Sequence, residues 1–436
     1  MRKDQSMAKF SYPRGVIALS SVEMWERFSF YTMQSLLVLY AAAKVTEGGL
    51  GWSQADALRL VGYYGALVYV SPIIGGVIAD KVIGRKWAVL LGSFIMMCGH
   101  ASLAFPGEKA LYLGLALLIT GCGLMKPAIS AMVGEFFKPG ETSRKESSFA
   151  IFYMSINIGG FLGPMIGGVV QQSYGYDYAF AMAAFGLLIG IINFQAAKNK
   201  SLKDIGNIVD KSQRVKTPWT PAEKKKVAVY LGLCVSNIFW NVIYVLPYGL
   251  LTLYADKNID RHIGHFTIPS TWYYGMYGLL IIIYSPIVAT FYQWFKNKTG
   301  NDLTLSWKLA VGYILVAGGS LVLLPLVKAI GANPHHIGSS GYIIGFYTLF
   351  SLSELLTLPV LLAAATTFAP HGYSATLVSL NMGISWAIGA WIGGEFGAWT
   401  QEMNPVILFW WVIGLCIVFA IGHILTDKKI ERVIQS

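Results

Sequence analysis

The amino-acid sequence predicts an all-α membrane protein with twelve transmembrane helices, arranged as two six-helix bundles around a central cavity. Three observations carry this prediction. Only 13% of the 436 residues are charged, about half of the roughly 25% that is typical of soluble domains. The chain also holds many apolar runs of about 20 residues, the length that a helix needs to cross the hydrocarbon core. A single long polar segment divides these runs into two sets of six.

The apolar runs define the candidate transmembrane helices. They lie at 15–43, 54–79, 87–105, 110–134, 148–171, 178–196, 227–254, 270–294, 305–328, 341–368, 374–399 and 405–425. We therefore predict an N-terminal bundle at 1–196, a cytoplasmic basic linker at 197–226 and a C-terminal bundle at 227–436. The apolar run that follows the polar start contains charges and has no small-residue cleavage site, so a removable signal peptide is not expected.

The distribution of charge predicts the orientation of the chain. The formal net charge is +11, with 33 lysine and arginine residues. Most of these residues fall on the side of the predicted helices that holds the N-terminus, which places both termini in the cytoplasm by the positive-inside rule. The excess of basic residues thus orients the protein in its lipid bilayer, and a nucleic-acid partner is not expected. Four scattered cysteines indicate neither a disulfide framework nor a metal site.

The first apolar run carries charges in its middle. Within "SVEMWERFSFYTMQSLLVLY", the residues Glu23 and Arg27 fall on one helical face, with Glu26 beside them. Each charge would cost roughly 2.5–3.5 kcal/mol at the centre of a bilayer, so the three must face protein or water. One interpretation is an internal ion pair that pins this helix to a neighbour. The other is a site that exchanges a proton, because the set has one acid in excess.

Two further charged residues lie inside later apolar runs. Lys126, in "GCGLMKPAIS", would complete a network of two acids and two cations whose proton count can change during transport. A lysine that snorkels to the surface is the alternative. Glu354, in "FSLSELLTLPVLL", is the lone acid in the interior of a second-half run. It predicts an anionic pocket opposite Arg27 and Lys126, suited to a zwitterion such as a short peptide, unless it is a structural glutamate bound by hydroxyls.

A short sequence pattern recurs at corresponding places in the two halves. The tripeptide SPI recurs at 71–73 and 285–287, each time before a basic turn that contains glycine. Two related six-helix halves around a cavity are the architecture of major facilitator transporters. The first of these turns, "GGVIADKVIGRK", resembles the loop motif between the second and third helices of that superfamily. We assign conformational roles there to Gly76, Asp80, Gly84 and Arg85.

Two longer motifs resemble one family. The stretch from Glu23 to Tyr31, "EMWERFSFY", is similar to the E-x-x-E-R-F-x-Y-Y motif of the proton-dependent oligopeptide transporter family. The stretch "FYMSINIGGFLGP" is similar to its F-Y-x-x-I-N-x-G signature, and "TTFAPHGYSATLVSLNMG" resembles its turn between helices 10 and 11. The resemblance implies a proton-coupled symporter that imports di- and tripeptides by alternating access. It also implies a bacterial inner membrane protein, a monomer, with no cofactor except protons as the coupling ion.

The resemblance assigns roles to individual residues. The proton-coupling residues that it implies are Glu23, Glu26, Arg27 and Lys126. The substrate-binding residues that it implies are Arg27, Tyr31, Tyr69, Lys126, Asn157 and Glu354.

The chain departs from the family pattern at several positions. Phe30 replaces the first tyrosine of the Y-Y pair, and Tyr277 lies near the place of an asparagine. Gln34 and Tyr244 stand where relatives have an arginine and a glutamate that pair across the outer gate. We therefore expect the gate to close in another way, with Pro359 permitting a bend in the tenth helix.

The sequence is also compatible with other functions. A transporter of another small solute in the same fold, such as an amino acid, an anion or a peptide-like drug, is the main alternative. A nutrient-sensing receptor is less favoured, because no signalling domain is attached. The sequence contains no H-E-x-x-H, G-x-S-x-G or P-loop pattern, so an enzyme is not predicted.

Overall fold

A computed structural model describes residues 12–137, 141–207, 219–370 and 373–435, and this part of the chain is almost entirely helical. The helices of the first half are α1 (Arg14–Ala42), α2 (Gln54–Ile78), α3 (Arg85–Leu103), α4 (Glu108–Gly134), α5 (Thr142–Tyr174) and α6 (Tyr176–Lys198). Those of the second half are α7 (Pro221–Tyr244), α8 (Leu250–Lys257), α9 (Thr271–Thr299), α10 (Leu305–Ala332), α11 (Ser340–Phe368), α12 (Ser374–Ser379), α13 (Trp386–Glu402) and α14 (Pro405–Gln435).

The long helices confirm a multi-pass membrane protein. Among the described residues, eleven helical stretches are long and apolar enough to cross a membrane. Helix α1 is also long enough, at 29 residues, but Glu23, Glu26 and Arg27 interrupt its apolar run. A crossing by α1, and with it the predicted number of twelve, therefore stays a prediction.

The predicted linker begins and ends close to helix boundaries. Its central part, 208–218, lies outside the described residues, so the division into bundles on either side of it stays a prediction. Helix α7 begins six residues earlier than expected because Thr220 and Glu223 form a capping box at its start. The Thr220 hydroxyl accepts a hydrogen bond from the Glu223 amide at 3.2 Å, and the Glu223 carboxylate accepts one from the Thr220 amide at 2.8 Å.

The seventh predicted helix, 227–254, is interrupted. Helix α7 ends at Tyr244, and α8 starts at Leu250. Between them lies Pro247, which has no amide proton to continue a helix. Its carbonyl instead accepts hydrogen bonds from the hydroxyls of Tyr347 at 3.0 Å and Thr252 at 2.9 Å. A two-stranded hairpin, β1 (His262–Ile263) and β2 (Phe266–Thr267), follows α8 and was not predicted.

The halves touch through small residues. A Cβ atom placed on Gly62 of α2 would lie 2.6 Å from the Cα atom of Gly394 of α13, so the two backbones meet with no side chain between them. Within the first half, a Cβ on Gly92 would lie 2.7 Å from the Gly121 carbonyl oxygen. Close approach at glycine is the usual way for helices to pack in a membrane, where hydrophobic attraction between helices is weak.

Polar contacts between the halves gather at one end of the bundle. We call the end where α1 begins the terminal end, and the end where α1 finishes the far end. At the far end, the Thr271 hydroxyl donates to the Pro164 carbonyl and the Trp272 indole donates to the Met165 carbonyl, both at 2.8 Å. These bonds join α5 to α9, a second contact between the halves in addition to that of α2 with α13. The halves are therefore held together at the far end.

Candidate functional site

A cavity of about 190 Å³ lies between the two halves. This is many times the roughly 10–15 Å³ that one water molecule requires, so the cavity has room for a small solute. Three charged residues line it, namely Arg27, Lys126 and Glu354. Aromatic side chains form much of the remaining wall, and they are Phe30, Tyr31, Tyr69, Tyr153, Tyr244, Tyr274, Tyr277 and Trp386.

The charges of α1 form one connected group with Lys126. The Arg27 guanidinium donates to both carboxylate oxygens of Glu26 at 2.5 Å, and its Nε atom lies 3.7 Å from Glu23. The Lys126 ammonium donates a hydrogen bond to Glu23. Glu23 is 0% exposed and Glu26 is 1% exposed. Two buried acids are thus matched by two cations, which is the condition for holding charge away from water.

Arg27 is also packed by aromatic rings. Its guanidinium carbon lies 4.4 Å from the ring centre of Phe30 and 5.7 Å from that of Tyr31. Both distances fall within the range of cation–π attraction. The departure from tyrosine at position 30 therefore preserves the ring that supports Arg27.

Glu354 lies on the opposite side of the cavity. It is 6% exposed, and no described residue donates a hydrogen bond to its Oε2 atom. The nearby hydroxyl of Ser351 donates to the Tyr347 carbonyl, and that of Ser353 accepts from Trp240. These contacts do not support the alternative of a glutamate held by hydroxyls. A buried carboxylate oxygen without a donor is available for a cation from the cavity.

The remaining predicted binding residues also face the cavity. Tyr31, Tyr69 and Asn157 all line it. The Asn157 side-chain nitrogen donates to the Tyr153 carbonyl at 3.0 Å, one turn earlier in α5. Tyr69 of the first half meets the Trp386 ring of the second half edge-on, with ring centres 4.9 Å apart. The structure thus brings every predicted binding residue to one cavity, while their roles in binding stay predictions.

Comparison with known proteins identifies the family. The family model described as "POT family" matches residues 86–221 and 206–407, more than half of the chain. The chain belongs to the POT family. This result confirms the resemblance to the proton-dependent oligopeptide transporters that the two motifs indicated.

Relatives of the POT chain match it along nearly its whole length. It is 31% identical to the uncharacterized transporter YclF of Bacillus subtilis, over 95% of this chain and 93% of that one. It is 27% identical to dipeptide and tripeptide permease A of Escherichia coli, over 99% and 95% of the two chains. A crystal structure of a mutant peptide transporter POT in complex with alafosfalin superimposes with a TM-score of 0.88 at 29% identity, over 98% and 97%. The predicted major facilitator fold is therefore confirmed.

The predicted loop motif of this POT chain forms an ion pair at the terminal end. Arg85 donates to Asp80 at 2.8 Å and also pairs with Glu135 at the end of α4. Gly84 has φ +80°, a conformation that side chains with a Cβ rarely adopt. A Cβ on Gly76 would lie 3.3 Å from Pro127, so Gly76 allows α2 to approach α4. The sequence did not single out Glu135, because nothing in its surroundings resembles a motif.

The predicted gate residues do not pair with each other. The Gln34 side-chain oxygen accepts a hydrogen bond from the Tyr274 hydroxyl of α9 at 3.1 Å. Tyr244 packs on Trp386, with ring centres 5.2 Å apart. The far end of this POT chain thus has an uncharged contact where its relatives were expected to have an ion pair. Pro359 lies inside α11, which continues through it as one helix.

Several cavity residues were not predicted. Tyr153, Tyr274 and Trp386 line the cavity, but a tyrosine or tryptophan in a membrane helix usually indicates packing or an interface anchor. Tyr153 belongs to the quoted "FYMSINIGG" signature, which was the available signal. For Tyr274 and Trp386 the sequence gives no such signal.

Proposed function

We propose that the chain is a proton-coupled symporter that imports di- and tripeptides by alternating access. Membership of a transporter family supports this proposal, as does the relative named dipeptide and tripeptide permease A. The position of the protein in a bacterial inner membrane, with both termini in the cytoplasm, is part of the proposal. So are its monomeric state, the lack of a cofactor other than protons and the lack of an enzymatic reaction.

The observation that carries the proposal is the separation of charge across the cavity. Arg27 and Lys126 contribute cations from the first half, and Glu354 contributes a carboxylate from the second whose Oε2 atom has no donor among the described residues. A peptide is a zwitterion whose carboxylate and ammonium ends match these two walls. A bound peptide therefore connects the two halves, and this connection favours a conformation in which both contact it.

The Glu23–Lys126 contact provides a route for proton coupling. A peptide carboxylate that binds Lys126 competes with Glu23 for the same ammonium group. Glu23 is fully buried, and without Lys126 it would keep only the more distant contact with the Arg27 Nε atom, 3.7 Å away, which donates to Glu26. An ionised Glu23 would then be disfavoured. It takes up a proton instead. Peptide binding and protonation of Glu23 thus favour each other, which is the linkage that a symporter requires.

The experiment uses the purified protein in proteoliposomes. An inward proton gradient should drive concentrative uptake of a labelled dipeptide, and no gradient should give only equilibration. Replacement of Lys126 by Ala should abolish concentrative uptake but leave exchange of peptide across the membrane. Lys109, an exposed lysine on the same helix, is the matched control, and its replacement by Ala should leave uptake unchanged. Equal uptake with and without the gradient in the unmodified protein would refute the proposal.

Another solute in the same cavity is the second candidate. Two cations, Arg27 and Lys126, and one acid, Glu354, line the cavity, and alafosfalin is bound in the crystal structure of a similar transporter. An anion or a peptide-like drug is therefore compatible with the site. A thermal-shift screen of peptides, amino acids and inorganic anions separates these cases, because a ligand that binds the folded protein raises its unfolding temperature. Stabilisation by anions alone would favour the second candidate.

A further inference from the structure

Arg59 connects the two halves at the far end. It lies near the start of α2, and its Nε atom is 3.2 Å from Glu395 on α13. Its Nη2 atom is 2.6 Å from Glu402, about two helical turns further along α13. The Tyr63 hydroxyl donates to the other Glu395 oxygen at 2.6 Å. One guanidinium therefore holds two carboxylates of the opposite half, while Asp56 of its own helix lies 3.3 Å away.

We propose that Arg59, Glu395 and Glu402 form an ionic latch that holds the far end closed during transport. The latch would take the place of the charged gate that Gln34 and Tyr244 cannot form. This inference rests on the proposed alternating-access function, since a latch has a purpose only if the far end opens.

The surroundings of the latch suit a contact that forms and breaks. The side chains of Arg59 and Glu395 are 26% and 21% exposed. Ion pairs at such a boundary are stronger than pairs on the open surface, yet water can still reach each partner when they separate. Fully buried partners would instead be left without solvation on opening, at a large cost in free energy.

Beside the latch, helices α2 and α13 are in close backbone contact. Gly62 meets Gly394 as described above, and a Cβ on Gly65 would lie 3.2 Å from the Cβ of Ala390. Ala390 is 2% exposed. When the latch is released and α2 moves away from α13, Ala390 becomes accessible from the far side. A thiol at this position therefore reports opening directly.

The test measures the labelling of Ala390→Cys in a chain whose four native cysteines are replaced. A membrane-impermeant thiol reagent is added from the far side of proteoliposomes. Glu395→Gln leaves the Arg59–Glu402 pair in place and should raise the labelling rate severalfold, on the order of the effect of one partly exposed ion pair, whereas Arg59→Gln removes both pairs and should raise it more. The double variant should match Arg59→Gln, because that change already removes the Arg59–Glu395 pair.

Lys44→Gln is the matched control. Lys44 pairs with Glu47 at 3.6 Å at the same end, but that pair lies within one loop and joins no helices of different halves. It should leave the labelling rate unchanged. Thermal unfolding of each variant is measured in parallel, so that loss of fold is recognised.

Two outcomes would overturn the proposal. Unchanged labelling in folded Arg59→Gln and Glu395→Gln proteins would show that the contact does not control opening. A lower unfolding temperature with unchanged labelling would show a static brace between the halves. Labelling requires neither peptide nor proton gradient, so a failure of peptide uptake would refute the proposed function and leave this result standing.

Discussion

Replacement of Glu354 by Gln separates the binding role of this residue from its role in the fold. The change keeps the shape of the side chain and removes its charge. A hydrogen bond to a charged group contributes about 1.5–3 kcal/mol, so a peptide with a free amino end should bind about 10- to 150-fold more weakly. A peptide whose amino end is acetylated has no ammonium to lose and should bind the variant and the unmodified protein almost equally.

The same substitution should not destabilise the empty protein. Glu354 is buried, and its Oε2 atom has no donor among the described residues. A neutral amide avoids the burial of an unpartnered charge, so the unfolding temperature without ligand should stay the same or rise. A structural glutamate would show the opposite change.

Calorimetric titration with a dipeptide and with its acetylated form provides the assay. Thermal unfolding without ligand is measured on the same samples. Glu47→Gln is the control, because this exposed carboxylate lies in a loop at the far end, does not line the cavity and takes no part in the Arg59 contacts. An equal loss of affinity for both peptides would contradict the assignment of Glu354 to the amino end.

Three further predictions concern coupling, closure and the start of α7. Glu23→Gln should abolish gradient-driven uptake but keep peptide exchange, because the proton site is lost while Lys126 remains; preserved concentrative uptake would show that coupling lies elsewhere. Gly62→Val should reduce uptake at least several-fold, since its side chain would meet the Gly394 backbone, whereas Gly62→Ala should have a smaller effect. Thr220→Ala should lower stability by about 1 kcal/mol through loss of the cap, measured by chemical unfolding, whereas Thr220→Ser should retain most of it; an equal loss in both would argue against capping.

The sequence predicts the long helices well because membrane burial imposes a strong and local rule. Each apolar run of about 20 residues is helical over most of its length, although the seventh is interrupted after Tyr244. In a bilayer no water is present to satisfy the backbone, so helix is favoured. The same rule explains why charged residues in these runs pointed to a site. Arg27, Lys126 and Glu354 do line one cavity, and the expectation came from the cost of a charge in hydrocarbon.

Contacts between residues far apart in the chain could not be predicted from the sequence. Arg59 and Glu395 are separated by 336 positions, and each is an ordinary charged residue near the end of its helix. The packing of α2 on α13, with Gly62 against Gly394, brings them together. The interruption after Tyr244 was missed for a related reason, because the run remains apolar while the carbonyl of Pro247 is satisfied by a distant tyrosine.

The unequal exposure of the Glu23–Lys126 pair bears on how well the carrier conserves energy. The Glu23 side chain is fully enclosed, whereas that of Lys126 is 28% exposed. The Lys126 side chain, which lines the cavity, therefore lies between the cavity and the enclosed Glu23 carboxylate. If bound peptide draws the lysine away from Glu23, as proposed above, the empty protein would keep this acid covered and would not dissipate the gradient. This protection against proton leak would come from the position of one flexible side chain and would need no separate gate.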